Sequence, residues 1–196
     1  MNAHHIVGVL LAGGESRRFG EPKAFYQLDG QPFFQYSLDA LKKNADDIII
    51  VSQPQLIKQM QDHTSYRVVL DEEKFRGFGP LAGIYTAMKL VHAEWYVILP
   101  CDTPYITEHV IKRLVSYTKI HPKKDAFIPK VAGRNQPLIA VYNRRCLSTI
   151  EKNLKENQLK MGMLFQAVET VFIEEESFNN HEAFRNINTK EDMNQN

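Results

Sequence analysis

Apolar runs that suit buried strands alternate with amphipathic runs that suit helices. Ile6 to Leu11 is a continuous apolar stretch, rich in branched residues and closed by Gly13-Gly14, and predicts a buried strand. Leu28-Asp29-Gly30-Gln31 reads as a turn. Pro32 then stands where a helix can begin, and Phe34, Leu38 and Leu41 predict one from about Pro32 to Lys43. Ile48 to Val51 predicts a second strand. Pro54 opens a second helix carrying Leu56, Ile57 and Met60. Tyr66 to Leu70 predicts a third strand, ending at Asp71. A polar loop, Glu72 to Pro80, leads into a helix bearing Leu81, Ile84, Met88 and Val91. Trp95 to Leu99 predicts a fourth strand, followed by Pro100-Cys101-Asp102. Thr107 is a candidate cap for the next helix, whose apolar face is Val110, Ile111, Leu114 and Val115.

The second half is less regular. Ala126 to Pro129, Leu138 to Tyr142 and Thr170 to Ile173 read as strands, and Cys146 to Lys155 as a helix. The polar tail from Glu191 is expected to fray. The alternation predicts an α/β fold of three layers, a mostly parallel sheet with helices on both faces. No repeat or flexible linker divides the chain. The expectation is one domain over 1–196, with a regular first part (about 1–120) and a less regular remainder (about 121–196).

In such a sheet, ligands sit at the carboxyl ends of the strands. Those ends carry Ala12-Gly13-Gly14, Ser52-Gln53, Asp71 and Cys101-Asp102. Glycines, small polar groups and two carboxylates converge on one edge, a composition that suits a nucleotide with a metal. The loop after the first strand adds Arg17, Arg18 and Lys23. Backbone N–H groups freed by glycine, with Arg and Lys beside them, suit polyphosphate. The loop holds no Gly-Lys-Ser/Thr, which excludes a Walker A loop. Its glycines at 13, 14 and 20 do not space as the dinucleotide fingerprint.

Asp102, just past a central strand, suits Mg²⁺ held by one carboxylate, phosphate oxygens and water. It also suits an Asx turn before Pro104, and the two can coexist. Asp71 suits a ribose hydroxyl or a base, or is a solvated strand end. Gly77-Phe78-Gly79-Pro80-Leu81-Ala82-Gly83 places glycines where a ligand could approach a helix start, or forms a plain loop.

The chain of 196 residues has ordinary globular composition and a formal net charge of +1, which gives no global attraction for nucleic acid or for an anionic membrane. Cys101 and Cys146 form neither a disulfide framework nor a zinc-spaced set, and read as packed thiols in a reducing compartment. The start, MNAHHIVGVLLAGG, lacks the pattern of a signal peptide, and no run reaches the roughly 18 apolar residues of a membrane span. A cytoplasmic protein is expected.

Leu-Ala-Gly-Gly-Glu-Ser-Arg-Arg-Phe-Gly-Glu-Pro-Lys (11–23) resembles the signature loop of nucleotidyltransferases that join a nucleoside triphosphate to a phosphorylated acceptor. GPLAGI (79–84), PCDTP (100–104), QPLIAVY (136–142) and NINTKED (186–192) follow in order. The ordered set is similar to the molybdenum cofactor guanylyltransferase family, which attaches GMP to the terminal phosphate of molybdopterin. The resemblance implies a Rossmann-like nucleotidyltransferase fold. It also implies GTP as substrate, with Mg²⁺, or Mn²⁺ in its place, as cofactor. Molybdopterin is the implied acceptor, with other cofactor-biosynthesis proteins and molybdoenzymes as further partners.

By the same resemblance, Leu11, Ala12 and Gly13 hold guanine and ribose through their backbone, and Gly14 and Gly79 join the nucleotide site. Lys23 contacts the triphosphate, Arg18 helps neutralise it, Asp71 contacts the nucleoside, and Asp102 binds the metal. Gln136, Asn186 and Asn188 are assigned to the acceptor. Ser52 stands where the family often has Asn, and Glu21-Pro22-Lys23 departs from the frequent Asp-Lys. Leu-Ala-Gly-Gly resembles guanine-selective members and Leu-Ala-Ala-Gly cytosine-selective ones, so Gly13 argues for GTP over CTP. The alternatives are a related transferase using CTP with molybdopterin or an NTP with a sugar or polyol phosphate, and a nucleotide-binding protein without transfer.

Overall fold

A computed structural model describes residues 5–13, 22–178, 182–187 and 192. In chain order the elements are β1 (Ile6–Leu11), β2 (Gln27–Leu28), β3 (Gln31–Pro32), α1 (Phe33–Lys42), β4 (Asp47–Ser52), α2 (Ile57–His63), β5 (Arg67–Leu70) and α3 (Pro80–Leu90). Then come β6 (Trp95–Pro100), α4 (Glu108–Ile120), β7 (Ala126–Val131), β8 (Arg134–Asn135), β9 (Ala140–Asn143), α5 (Cys146–Lys155), α6 (Met161–Ala167) and β10 (Thr170–Glu174).

The main sheet runs β10-β7-β9-β6-β1-β4-β5, with β8 paired to β7. β1 is parallel to both β4 and β6, β4 to β5, and β10 to β7. β9 is antiparallel to β6 and β7, which accounts for the irregular pattern of the second half. The chain travels outward through β1, β4 and β5, then returns to lay β6 on the other side of β1. That reversal opens a crevice at the strand ends.

Every residue of β1 is buried, because the sheet is covered on both faces. Leu10, Ile50, Val97 and Leu99 pack with Phe34, Leu38 and Leu41 of α1 and Val110, Ile111 and Leu114 of α4. Val7, Val9, Ile49, Val51 and Ile98 point the other way, onto Leu81, Ile84, Tyr85 and Met88 of α3 and Ile150 and Leu154 of α5. A Cβ at Gly8 would lie 3.2 Å from Ile48 and 3.3 Å from Leu41, so glycine there lets α1 approach β1.

Several predicted boundaries move for local reasons. The second helix starts at Ile57 rather than Pro54, because Leu56 N–H donates to the Gln53 carbonyl and closes a turn first. The strand expected from Leu138 starts at Ala140, since Ile139 N–H donates to the Gln136 carbonyl in another turn. Thr107 occupies the N-cap position of α4 with extended backbone, but its hydroxyl makes no capping hydrogen bond. The loop read as polar holds Phe75, buried edge-on against Tyr85 at 5.2 Å between ring centroids. The turn at Leu28–Gln31 is a tight hairpin with Asp29 and Gly30 both at positive φ, the pairing that a two-residue hairpin turn requires.

Candidate active site

The carboxyl ends of β1, β4, β5 and β6 open into a cavity of about 920 Å³. Its wall takes Ala12 and Gly13 from the end of β1, Ser52 and Gln53 from β4, Asp71 from β5, and Cys101 and Asp102 from β6. These are the groups that the strand reading placed on one edge. Backbone hydrogen bonds fix the ends against one another. Ala12 N–H donates to the Val51 carbonyl at 2.8 Å, and Cys101 N–H to the Leu11 carbonyl at 3.1 Å.

Lys23 Nζ donates to Asp102 Oδ2 at 3.0 Å. The side chains are 14% and 21% exposed, so solvent weakens this ion pair only partly. The other carboxylate oxygen, Asp102 Oδ1, is buried with no hydrogen-bond partner, and so is Ser52 Oγ. An unsatisfied buried acceptor is costly to leave in a fold, so two of them on one cavity wall point to a ligand that satisfies them. Among the described residues, no group of three His, Cys, Asp or Glu is gathered to hold a metal by itself. A lone carboxylate with a spare oxygen fits Mg²⁺ that completes its shell with phosphate oxygens and water.

Asp71 and Gly77 both line the cavity wall. Burial raises the Asp71 pKa above the ordinary carboxylate value, with the Gly77 N–H and the Arg76 charge opposing that rise. The loop that supplies this N–H turns at Gly77 and Gly79, at φ +85° and +74°, where a side chain would be strained. Gly79 is also the N-cap of α3, with Pro80 at its first position. Burial pushes the Cys101 thiol up to about 12, the Asp102 charge adds to this and Lys23 opposes it; Cys101 packs in the wall as an un-ionised thiol.

Leu11, Ala12, Gly13, Lys23, Ser52, Asp71, Gly79, Asp102 and Asn186 all line the cavity. Gln136 does not. Its N–H is used by the Pro129 carbonyl in the turn before β9, and Leu138 lines the cavity instead. Gly14, Arg18 and Asn188 lie outside the described residues, as does the tail segment expected to fray except for Asp192. Gln53, placed on this edge by the strand reading, lines the cavity, and so does Arg76, which the sequence did not single out. Arg76 sits in an irregular loop that has no periodicity to orient it.

A family profile described as "MobA-like NTP transferase domain" matches residues 8–171, most of the chain. The chain belongs to this family. A relative from Halalkalibacterium halodurans, named "Probable molybdenum cofactor guanylyltransferase", is 44% identical over 194 residues, covering 98% of each chain. One of the same name from Bacillus subtilis is 38% identical over 95% of this chain and 92% of its own. The crystal structure of molybdopterin-guanine dinucleotide biosynthesis protein A from Archaeoglobus fulgidus superposes with a TM-score of 0.83. It covers 96% of this chain and 95% of its own at 22% identity, and so shares the fold. This NTP transferase family is a family of enzymes, and its α/β sheet is the one described above. Among the described residues, no helix is long and apolar enough to cross a membrane.

Proposed function

We propose that the protein transfers GMP from GTP to the terminal phosphate of molybdopterin in the cytoplasm, releasing pyrophosphate and forming the guanine dinucleotide cofactor. The observation that carries this reading is Asp102 Oδ1, buried and unpartnered on the wall of a nucleotide-sized cavity, with Lys23 3.0 Å from its sister oxygen. The names borne by the full-length relatives supply the acceptor and the base.

An oxygen of the acceptor phosphate attacks the α-phosphorus in line. The bond from that phosphorus to the bridging oxygen breaks, and its electron pair leaves with pyrophosphate. The nucleophile is already anionic near neutral pH, so the site needs no general base, in keeping with a thiol at Cys101 that stays protonated. The chain's task is to bring two anions together and hold them aligned. Lys23 and Arg18 offset charge on the triphosphate. The backbone at Leu11, Ala12, Gly13, Gly14 and Gly79 receives the guanosine, with Ser52 Oγ and the Asp71 carboxylate as its polar contacts. Asp102 would hold Mg²⁺, or Mn²⁺ in its place, and the ion would supply Lewis-acid polarisation of the α-phosphate and help orient the leaving group.

The first 120 or so residues carry these contacts. The remainder serves the acceptor, through Asn186 on the cavity wall and through Asn188, while Gln136 braces the turn that presents Leu138. The deciding experiment incubates the protein with molybdopterin, Mg²⁺ and α-labelled GTP or CTP. Label from GTP is expected in the pterin product with release of pyrophosphate. Transfer from CTP alone, or none from either, would overturn the assignment.

A further inference from the structure

Asp102 follows a strand end whose backbone is gripped from outside the sheet. The Pro100 carbonyl accepts a hydrogen bond from Ser37 Oγ at 2.8 Å and another from Thr103 Oγ1 at 3.2 Å. The Asp102 carbonyl accepts from Ile187 N–H at 3.0 Å. Ser37, Thr103 and Ile187 are all wholly buried.

Both grips trace back to one helix face. Phe33 and Ser37 are one turn apart on α1 and share a side. Phe33 packs against Ile187 in a small cluster with Tyr26, Leu28 and Tyr105, separate from the two main cores. Ser37 is the hydroxyl among the buried residues Phe33, Phe34, Leu38, Ala40 and Leu41 of the same helix. Packing alone would be served by alanine there, and a buried hydroxyl is tolerated only for the hydrogen bond it makes.

We propose that Ser37 and Ile187 are positioning residues for the Asp102 carboxylate, clamping its turn from two sides so that the carboxylate keeps its place on the cavity wall. Neither residue lines the cavity wall. They act through the Pro100 and Asp102 carbonyls. The segment 182–187 thereby becomes part of the nucleotide–metal site, and Asn186, next to Ile187, sits on the wall of the same cavity. The proposal rests on the reading of Asp102 as the metal ligand.

The test measures Mn²⁺ affinity by electron paramagnetic resonance, on the full chain with a GTP analogue carrying a methylene between the α- and β-phosphorus. Ser37→Ala, Ile187→Ala and Asp102→Asn are compared with the parent. Ser37→Ala leaves Thr103 on the Pro100 carbonyl, so its melting temperature is expected to fall by no more than about 4 °C. Its Mn²⁺ dissociation constant is expected to rise about fivefold or more, the effect of one hydrogen bond's worth of alignment. Ile187→Ala should act in the same direction, and Asp102→Asn more strongly. Parent-like affinity in Ser37→Ala, with Asp102→Asn impaired, would overturn the clamp and leave the metal reading standing. Parent-like affinity in Asp102→Asn would overturn both. Should Ile187→Ala fail to fold, Ser37→Ala decides alone.

Discussion

A Cβ at Gly83 would lie 2.8 Å from Leu11 Cδ2 and 3.7 Å from Asp71 Oδ1. The first turn of α3 therefore presses on the end of β1 at the cavity wall, and glycine lets the Leu11 side chain keep its place. Gly83→Ala must push Leu11 aside. It is expected to cost about 1–3 kcal/mol in urea unfolding, as overpacking does. It should also raise the KM for GTP, because Leu11 belongs to the proposed guanosine wall. A variant with parent stability and parent KM would show that the wall is softer than this contact implies.

Gly13 behaves differently. A Cβ there would meet the Ser52 carbonyl carbon at 3.8 Å and its oxygen at 3.9 Å, ordinary contact distances. Gly13→Ala should fold with stability close to the parent, which isolates its effect on the ligand. If Gly13 selects the base, the ratio of kcat/KM for GTP to that for CTP should fall in this variant. An unchanged ratio removes Gly13 from base selection.

The Lys23–Asp102 pair separates two roles. Asp102→Ala is expected to lower kcat by about 10²–10³-fold, the range for losing one preorganised transition-state contact. Added Mg²⁺ should not restore it. Lys23→Ala should chiefly raise the KM for GTP, and the rise should shrink at high salt, where charge attraction is screened for both proteins. Full activity in the first variant, or parent kinetics in the second, would remove that residue from its role.

The buried thiols make an alkaline prediction. Burial pushes both Cys101 and Cys146 up to about 12. A thiol whose pKa is higher in the folded chain stabilises the fold fully below the unfolded value near 9, and that contribution is lost as pH rises from there towards 12. Stability should decline over this window by at most about 1.4 kcal/mol per pH unit for each thiol. Replacing both with alanine should flatten the decline in a pH series of urea melts. Burial should leave Cys146 unlabelled by iodoacetamide at neutral pH until the chain unfolds.

Strands buried on both faces write themselves into sequence as unbroken apolar runs, so β1, β4 and β6 and the polar residues after them were legible. The converging edge of Ala12, Gly13, Ser52, Asp71 and Asp102 follows from those runs. Contacts closed by distant backbone were not legible. Nothing local marks the Ile187 N–H as the donor to the Asp102 carbonyl, 85 positions earlier by their numbers, or Ser37 as the donor to Pro100. The seven-residue α6, without a capping side chain, is too short to show a period. Nor did the strand-entry reading of Gln136-Pro137-Leu138 show that Leu138 would reach the cavity wall.

The central sheet has helices over both faces, leaving the rim of loops at its strand ends as the place where this cavity meets a ligand. Diversification of the scaffold is thereby channelled. A descendant could exchange its base or its acceptor by rewriting the turns after β1, β4, β5 and β6 while inheriting the interior unaltered. An engineer grafting those turns from a related transferase would face the same division of labour.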